Sequence, residues 1–137
     1  MRSLLVLVCA VGLAVSVYLT TVHYADAPLF CSSNGTVDCS AVLHSRYATI
    51  AGLPVSIGGI VWFALMAALG WWDLRSRIVL AWIAIGIATV MWLVFVELAK
   101  LEHICIWCTV AHALVLACVG IVLVASARAE DGQQPDA

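Results

Sequence analysis

The stretch Ile104–Ala127, ICIWCTVAHALVLACVGIVLVASA, runs for 24 residues with no Asp, Glu, Lys or Arg and one ionisable imidazole, His112. About 20 apolar residues are enough to cross a bilayer. In lipid the backbone N–H and C=O groups must find partners within the protein, so a run of this kind is a helix. Three further runs read the same way: Leu4 to about His23, Val55–Trp72 and Ile78–Val96. Four spans use about 80 residues of the 137. The remainder is one loop, about 24–54, a short turn around Asp73–Arg77, and a polar tail, 128–137, expected to be frayed.

Composition leads to the same place. The chain is 65% hydrophobic and 10% charged, with mean hydropathy +1.12, whereas a soluble domain carries roughly 25% charged residues. A small soluble fold buries only about two-thirds of its unfolded surface, so it could not hide this much apolar area, and disorder is excluded as well. The net charge is -2, and Lys100 is the single lysine. With no basic patch, nucleic acid is not an expected partner. The expectation is an all-α integral membrane protein built as one four-helix domain over residues 1–127.

The first run has a rival reading. Arg2, an apolar stretch and Ala25-Asp26-Ala27 are arranged like a secretory signal. The long apolar core and the extra residues Thr20–Tyr24 favour a retained span. Cys9 follows Val8 rather than the small residue a lipoprotein cysteine requires. Trp71, Trp72 and Trp107 lie at run ends, where indole rings favour the membrane interface. With the N-terminus inside, Arg2, Arg75, Arg77 and Arg128 are cytoplasmic, and Arg46 and Lys100 are outside; four against two supports this orientation. The loop 24–54 then faces a compartment that permits disulfides.

Four of the six cysteines fall on that outer side. Cys105-Ile106-Trp107-Cys108 is a C-x-x-C opening the last helix. Residues at i and i+3 share a face, and a helix N-terminus favours the thiolate, which both attacks and leaves well in exchange. Cys31 and Cys39 flank a segment containing Asn34-Gly35, a tight-turn pair, so the loop can double back and bring the sulfurs together. Each pair could instead be a structural staple. Zinc would need two more ligands, for which His103 and His112 are the candidates. Cys9 and Cys118 lie inside spans and read as small apolar side chains. Two thiol pairs facing one oxidising compartment suggest a relay, one pair meeting the client and the other placed where a lipid-soluble acceptor can dock. A four-span protein with purely structural disulfides and a thiolate-based metal carrier are the other classes. The latter wants ligands along an intramembrane path, where only His112 and Glu97 qualify, and Glu97 can sit at the interface.

Together Cys31…Cys39, Val37-Asp38-Cys39-Ser40, Ser45-Arg46, Ser56-Ile57-Gly58-Gly59 and the closing C-x-x-C resemble the vitamin K epoxide reductase (VKOR) family, including its bacterial disulfide-forming members, over about residues 5–127. DsbB proteins carry the C-x-x-C in the first outer loop, the reverse order. The resemblance implies a bundle around a quinone, menaquinone or ubiquinone, capped outside by a short loop helix. It implies Cys31 and Cys39 as the shuttle pair, Cys105 and Cys108 as the redox centre, and Ser45 near the quinone. Ser56, in the Ser-Ile-x-Gly run, and His112 are further candidate quinone contacts. Val55 stands where some members carry Asn, and His112 where vertebrate-type members carry Tyr. Some bacterial members fuse a thioredoxin-like domain at the C-terminus. None follows here, so the resemblance implies a separate DsbA-like, thioredoxin-fold partner, with the protein a monomer in the bacterial inner membrane and its active site on the periplasmic side. Small residues such as Gly58 and Gly59 are expected where helices approach.

Overall fold

The computed structural model describes residues 1–25, 31, 35–50 and 52–131. Asp26 and Ala27 of the signal-like segment, and Asn34 of the expected turn, lie outside them; Gly35 sits at φ +58°, a conformation that glycine adopts without strain. Four helices are long and apolar enough to cross a membrane. They are α1 (Arg2–Ala25), α3 (Val55–Trp72), α4 (Arg77–Val96, continued by a π-helical turn Glu97–Leu101) and α5 (Ile106–Asp131). Between α1 and α3 come a five-residue helix α2 (Cys39–Leu43) and two short antiparallel strands, β1 (Thr49–Ile50) and β2 (Leu53–Pro54), in the register Thr49↔Pro54. The protein is thus an all-α four-helix membrane bundle with a small helix on its loop side.

Glycines decide how closely the helices meet. A Cβ on Gly12 of α1 would run into the Phe63 ring of α3, one on Gly70 of α3 into Leu5 of α1, and one on Gly59 of α3 would lie 2.7 Å from Ser16 Oγ of α1. Lipid offers no hydrophobic drive between helices, so close backbone approach through small residues supplies the packing energy instead. Gly59 therefore has the helix-contact role expected of it. Gly58 does not: a Cβ built there would have no atom of a neighbouring helix within 4 Å. Between α3 and α4, Trp62 Nε1–H donates to Trp82 O and Trp82 Nε1–H donates to Trp62 O, both at 3.1 Å.

Local chemistry sets the helix ends. Ser76 caps α4 by accepting from Val79 N–H at 3.2 Å, and Pro54, which could not continue a strand ladder, precedes α3. Two boundaries differ from the sequence reading. The last helix begins at Ile106 rather than Ile104, because Ile104 is engaged with the loop, and it runs on through 128–131, where a frayed tail was expected. Trp107 also departs from its expected role as an interface anchor: its ring packs 4.9 Å from that of Tyr18 on α1, inside the bundle's loop-side cluster. Trp71 and Trp72 are exposed, 58% and 76%, as interfacial rings should be. Cys9 and Cys118 are buried in the core with their sulfurs 3.7 Å apart.

Candidate functional site

The site begins with two backbone hydrogen bonds and a cap. Ile104 N–H donates to Thr36 O at 2.9 Å, and Asp38 N–H donates to Ile104 O at 3.2 Å, pairing Val37 with Ile104 as a parallel bridge. These bonds fall one residue before Cys39 and one residue before Cys105. Asp38 then starts α2 by accepting from Ala41 N–H at 3.0 Å, a side-chain cap of the kind worth about 1 kcal/mol. Cys39 and Cys105 consequently share one buried cluster with Val42 and Leu43, and neither is more than 1% exposed. From the far side, His23 Nδ1–H of α1 donates to Leu43 O at 3.1 Å, holding α2 down.

Cys31 and Cys39 form a disulfide with Cα atoms 6.2 Å apart. Cys31 is half-buried where Cys39 is sealed, so Cys31 is the sulfur a second protein can reach. Cys105 and Cys108 are free thiols. Cys108 N–H donates to Cys105 Sγ at 3.3 Å. The Cys108 thiol's hydrogen bond pulls Cys105 below the ordinary thiol range, against burial, which pushes it up.

Cys105 is turned to the loop; Cys108 opens on a cavity of about 620 Å³ between α1, α3, α4 and α5. That volume is within the 300–1,000 Å³ usual for a small-molecule site. Val42, Leu43, Ser45, Tyr47 and Ala48 of the loop roof it, and Trp62, Phe63, Trp82 and Val115 form apolar walls. The polar groups are few: Cys108, Glu97, His112, Ser45 and Ser56 are among them. An apolar slot with a handful of hydrogen-bonding groups suits a quinone, a flat apolar ring whose two carbonyl oxygens need partners. Ser45 Oγ–H donates to Val42 O at 2.9 Å, leaving its lone pairs for other donors. Ser56 Oγ and Thr20 Oγ1 are 2.8 Å apart, and Thr20 Oγ1 is also 2.8 Å from Ser16 O. Thr20 has one proton, so the pair can leave Ser56 either donating into the cavity or accepting from it.

All seven residues singled out from the sequence thus lie in one region: Cys31, Cys39 and Cys105 on the loop side, and Cys108, Ser45, Ser56 and His112 on the cavity wall. Among the described residues, no group of three His, Cys, Asp or Glu is placed to hold a metal.

Glu97 is different from its sequence reading. It is 7% exposed and lines the cavity instead of resting at the interface, because α4 passes into the π-turn at this residue and Cys105 N–H donates to its carboxyl. An acid at the end of an apolar run was the available signal, but sequence alone does not show whether such an acid turns inward. Thr20 and Tyr47 carried no signal. The cysteine order, the loop helix and the apolar cavity under the C-x-x-C agree with the match of residues 3–123 to the model of the vitamin K epoxide reductase family. The chain belongs to that family of membrane thiol–disulfide oxidoreductases that work with a quinone.

Proposed function

We propose that this protein reoxidises a separate DsbA-like, thioredoxin-fold partner at the periplasmic face of a bacterial inner membrane and passes the electrons to a membrane quinone, menaquinone or ubiquinone. In this reading residues 1–127 act as one monomeric VKOR-like unit and 128–137 as its cytoplasmic tail. The observation that carries it is the pairing of Thr36–Asp38 with Ile104, which brings Cys39 into one buried cluster with Cys105 while Cys108 lines the cavity.

The partner's thiolate attacks Cys31, the accessible sulfur, and the Cys31–Cys39 bond breaks with Cys39 as leaving thiolate. The partner's second thiolate attacks its own sulfur in the mixed disulfide, which releases Cys31 and leaves the partner oxidised. The loop is now a dithiol. Cys39 attacks Cys105 of an oxidised Cys105–Cys108 pair, and Cys108 leaves as a thiolate on the cavity wall. Cys31 then attacks Cys39, restoring the loop disulfide and freeing Cys105; Cys108 takes up one of the protons that the loop dithiol releases, and as a thiol it stabilises the charge on Cys105. A quinone supplies the terminal chemistry by accepting two electrons and two protons. Ser45, Ser56 and His112 would orient its oxygens, and the aromatic walls would hold its ring away from water.

Two measurements on the purified protein test this. A quinone should copurify with it, and adding a reduced thioredoxin-fold dithiol protein should yield quinol and oxidised partner in equal amounts. Purified protein that binds no quinone and transfers no electrons would leave both cysteine pairs as structural staples.

A further inference from the structure

We propose that Glu97 is the proton carrier between the thiol pair and the quinone oxygen, an assignment that rests on the quinone-reductase reading above. The overall step is Cys105–SH + Cys108–SH + quinone → Cys105–S–S–Cys108 + quinol. One S–S bond forms, two S–H bonds break, and two O–H bonds form. The electron pair passes from sulfur to the ring, but the protons need their own route. Cys108 lines the cavity and can lose its proton there, whereas Cys105 is fully buried in the loop-side cluster and is not on the cavity wall.

Glu97 spans that gap. Its carboxyl accepts the Cys105 N–H, it interacts electrostatically with both sulfurs, and it lines the cavity. Among the described residues it is the sole carboxyl on the cavity wall. The alternatives are weaker. Ser45 has its proton on Val42 O, a serine hydroxyl does not titrate near neutral pH, and His112 lies one helical turn deeper than Cys108, farther from Cys105. The π-turn that begins at Glu97 interrupts regular α-helix at the level of the C-x-x-C; such turns often mark functional positions because they interrupt the regular hydrogen-bond ladder. In the proposed step Glu97 gives its proton to a quinone oxygen and regains one from the Cys105 thiol, so it ends the cycle as it began.

The test uses the full chain in detergent micelles and the variants Glu97→Gln and Glu97→Asp. Gln keeps the size and can still accept the Cys105 N–H, but it carries no transferable acid proton. The first readout needs no quinone: reduction of Cys105–Cys108 by dithiothreitol, counted by maleimide mass shift. The second is quinol formation from a ubiquinone bearing a single isoprene unit. The third is the infrared C=O stretch of a protonated carboxyl, followed as the thiols are reduced. Glu97→Gln should reduce its disulfide as the wild type does and lose the infrared signal. It should form quinol about 10²-fold more slowly, the scale of a lost general acid, and Glu97→Asp should recover part of that rate. Wild-type quinol formation in Glu97→Gln would overturn the proposal. So would a Glu97→Gln protein that also fails to reduce its disulfide, since the role would then be structural. Wild-type protein that forms no quinol would remove the quinone reading itself, and this proposal with it.

Discussion

Replacing Gly86 with Ala should destabilise the bundle at the wall of its cavity. An alanine Cβ would lie 2.6 Å from Trp62 Cζ2, 2.7 Å from Cε2 and 2.9 Å from Nε1, where carbon atoms prefer about 3.5–4.0 Å. The indole must therefore move by about 1 Å. It is poorly able to do so. Its N–H is bonded to Trp82 O, Trp82 is bonded in return to Trp62 O, and the ring stands edge-on to Phe63 with centroids 5.1 Å apart. Phe63 in turn sits directly over Gly12. Overpacking costs about 1–3 kcal/mol, and straining the Trp62 indole hydrogen bond adds about 0.5–1.5 kcal/mol, so a loss of about 1.5–4.5 kcal/mol is expected. Unfolding followed by circular dichroism in mild detergent measures it. Trp62→Phe removes the atoms that the new methyl meets, so the double variant should be less destabilised than the two single effects summed, with a coupling of about 0.5–3 kcal/mol. Trp62, Trp82 and Gly86 all line the cavity, so Gly86→Ala should also weaken quinone binding. Unchanged stability, or strict additivity in the double variant, would refute the account of this contact.

Three further outcomes follow from the thiol geometry. Cys39→Ala should abolish oxidation of the protein partner while dithiothreitol still reduces Cys105–Cys108, and Cys31, left as a free thiol, should enter a mixed disulfide only by attacking partner supplied in its disulfide form; undiminished partner oxidation would make the loop pair a staple. Cys108→Ala should trap a Cys39–Cys105 disulfide, whereas Cys105→Ala should leave Cys108 in the cavity and produce an absorption band that vanishes when quinone is extracted; the opposite assignment of trap and band would reverse the order of the two sulfurs. Because the Cys108 thiol holds Cys105 below the ordinary thiol range, the Cys105 thiolate exists above that lowered value and is lost as pH falls through it. Attack of reduced Cys105 on the Cys31–Cys39 disulfide, read as maleimide-reactive Cys31, should therefore stay fast below pH ~8.5, and Cys108→Ala should move the falling limb to higher pH. An identical pH limb in both proteins would show that Cys108 does not tune Cys105.

The membrane class and the four spans were legible in the chain because the constraint is local: about 20 apolar residues must satisfy their own backbone polar groups in lipid, whatever lies beside them. The four loop-side cysteines were legible because spacing within the C-x-x-C and across the loop is a property of sequence alone. Which sulfur meets which was a matter of tertiary structure. Ile104 gave up the start of its helix to pair with Thr36 and Asp38, segments 66 or more residues away in the chain, and nothing in either segment announces the other. The same holds for Glu97, whose inward turn depends on a π-turn and on the Cys105 amide, and for Gly58 and Gly59, adjacent glycines of which one has open space where a Cβ would stand and the other meets Ser16. A side chain's periodicity says that it has a face; only the packed neighbours decide what that face meets.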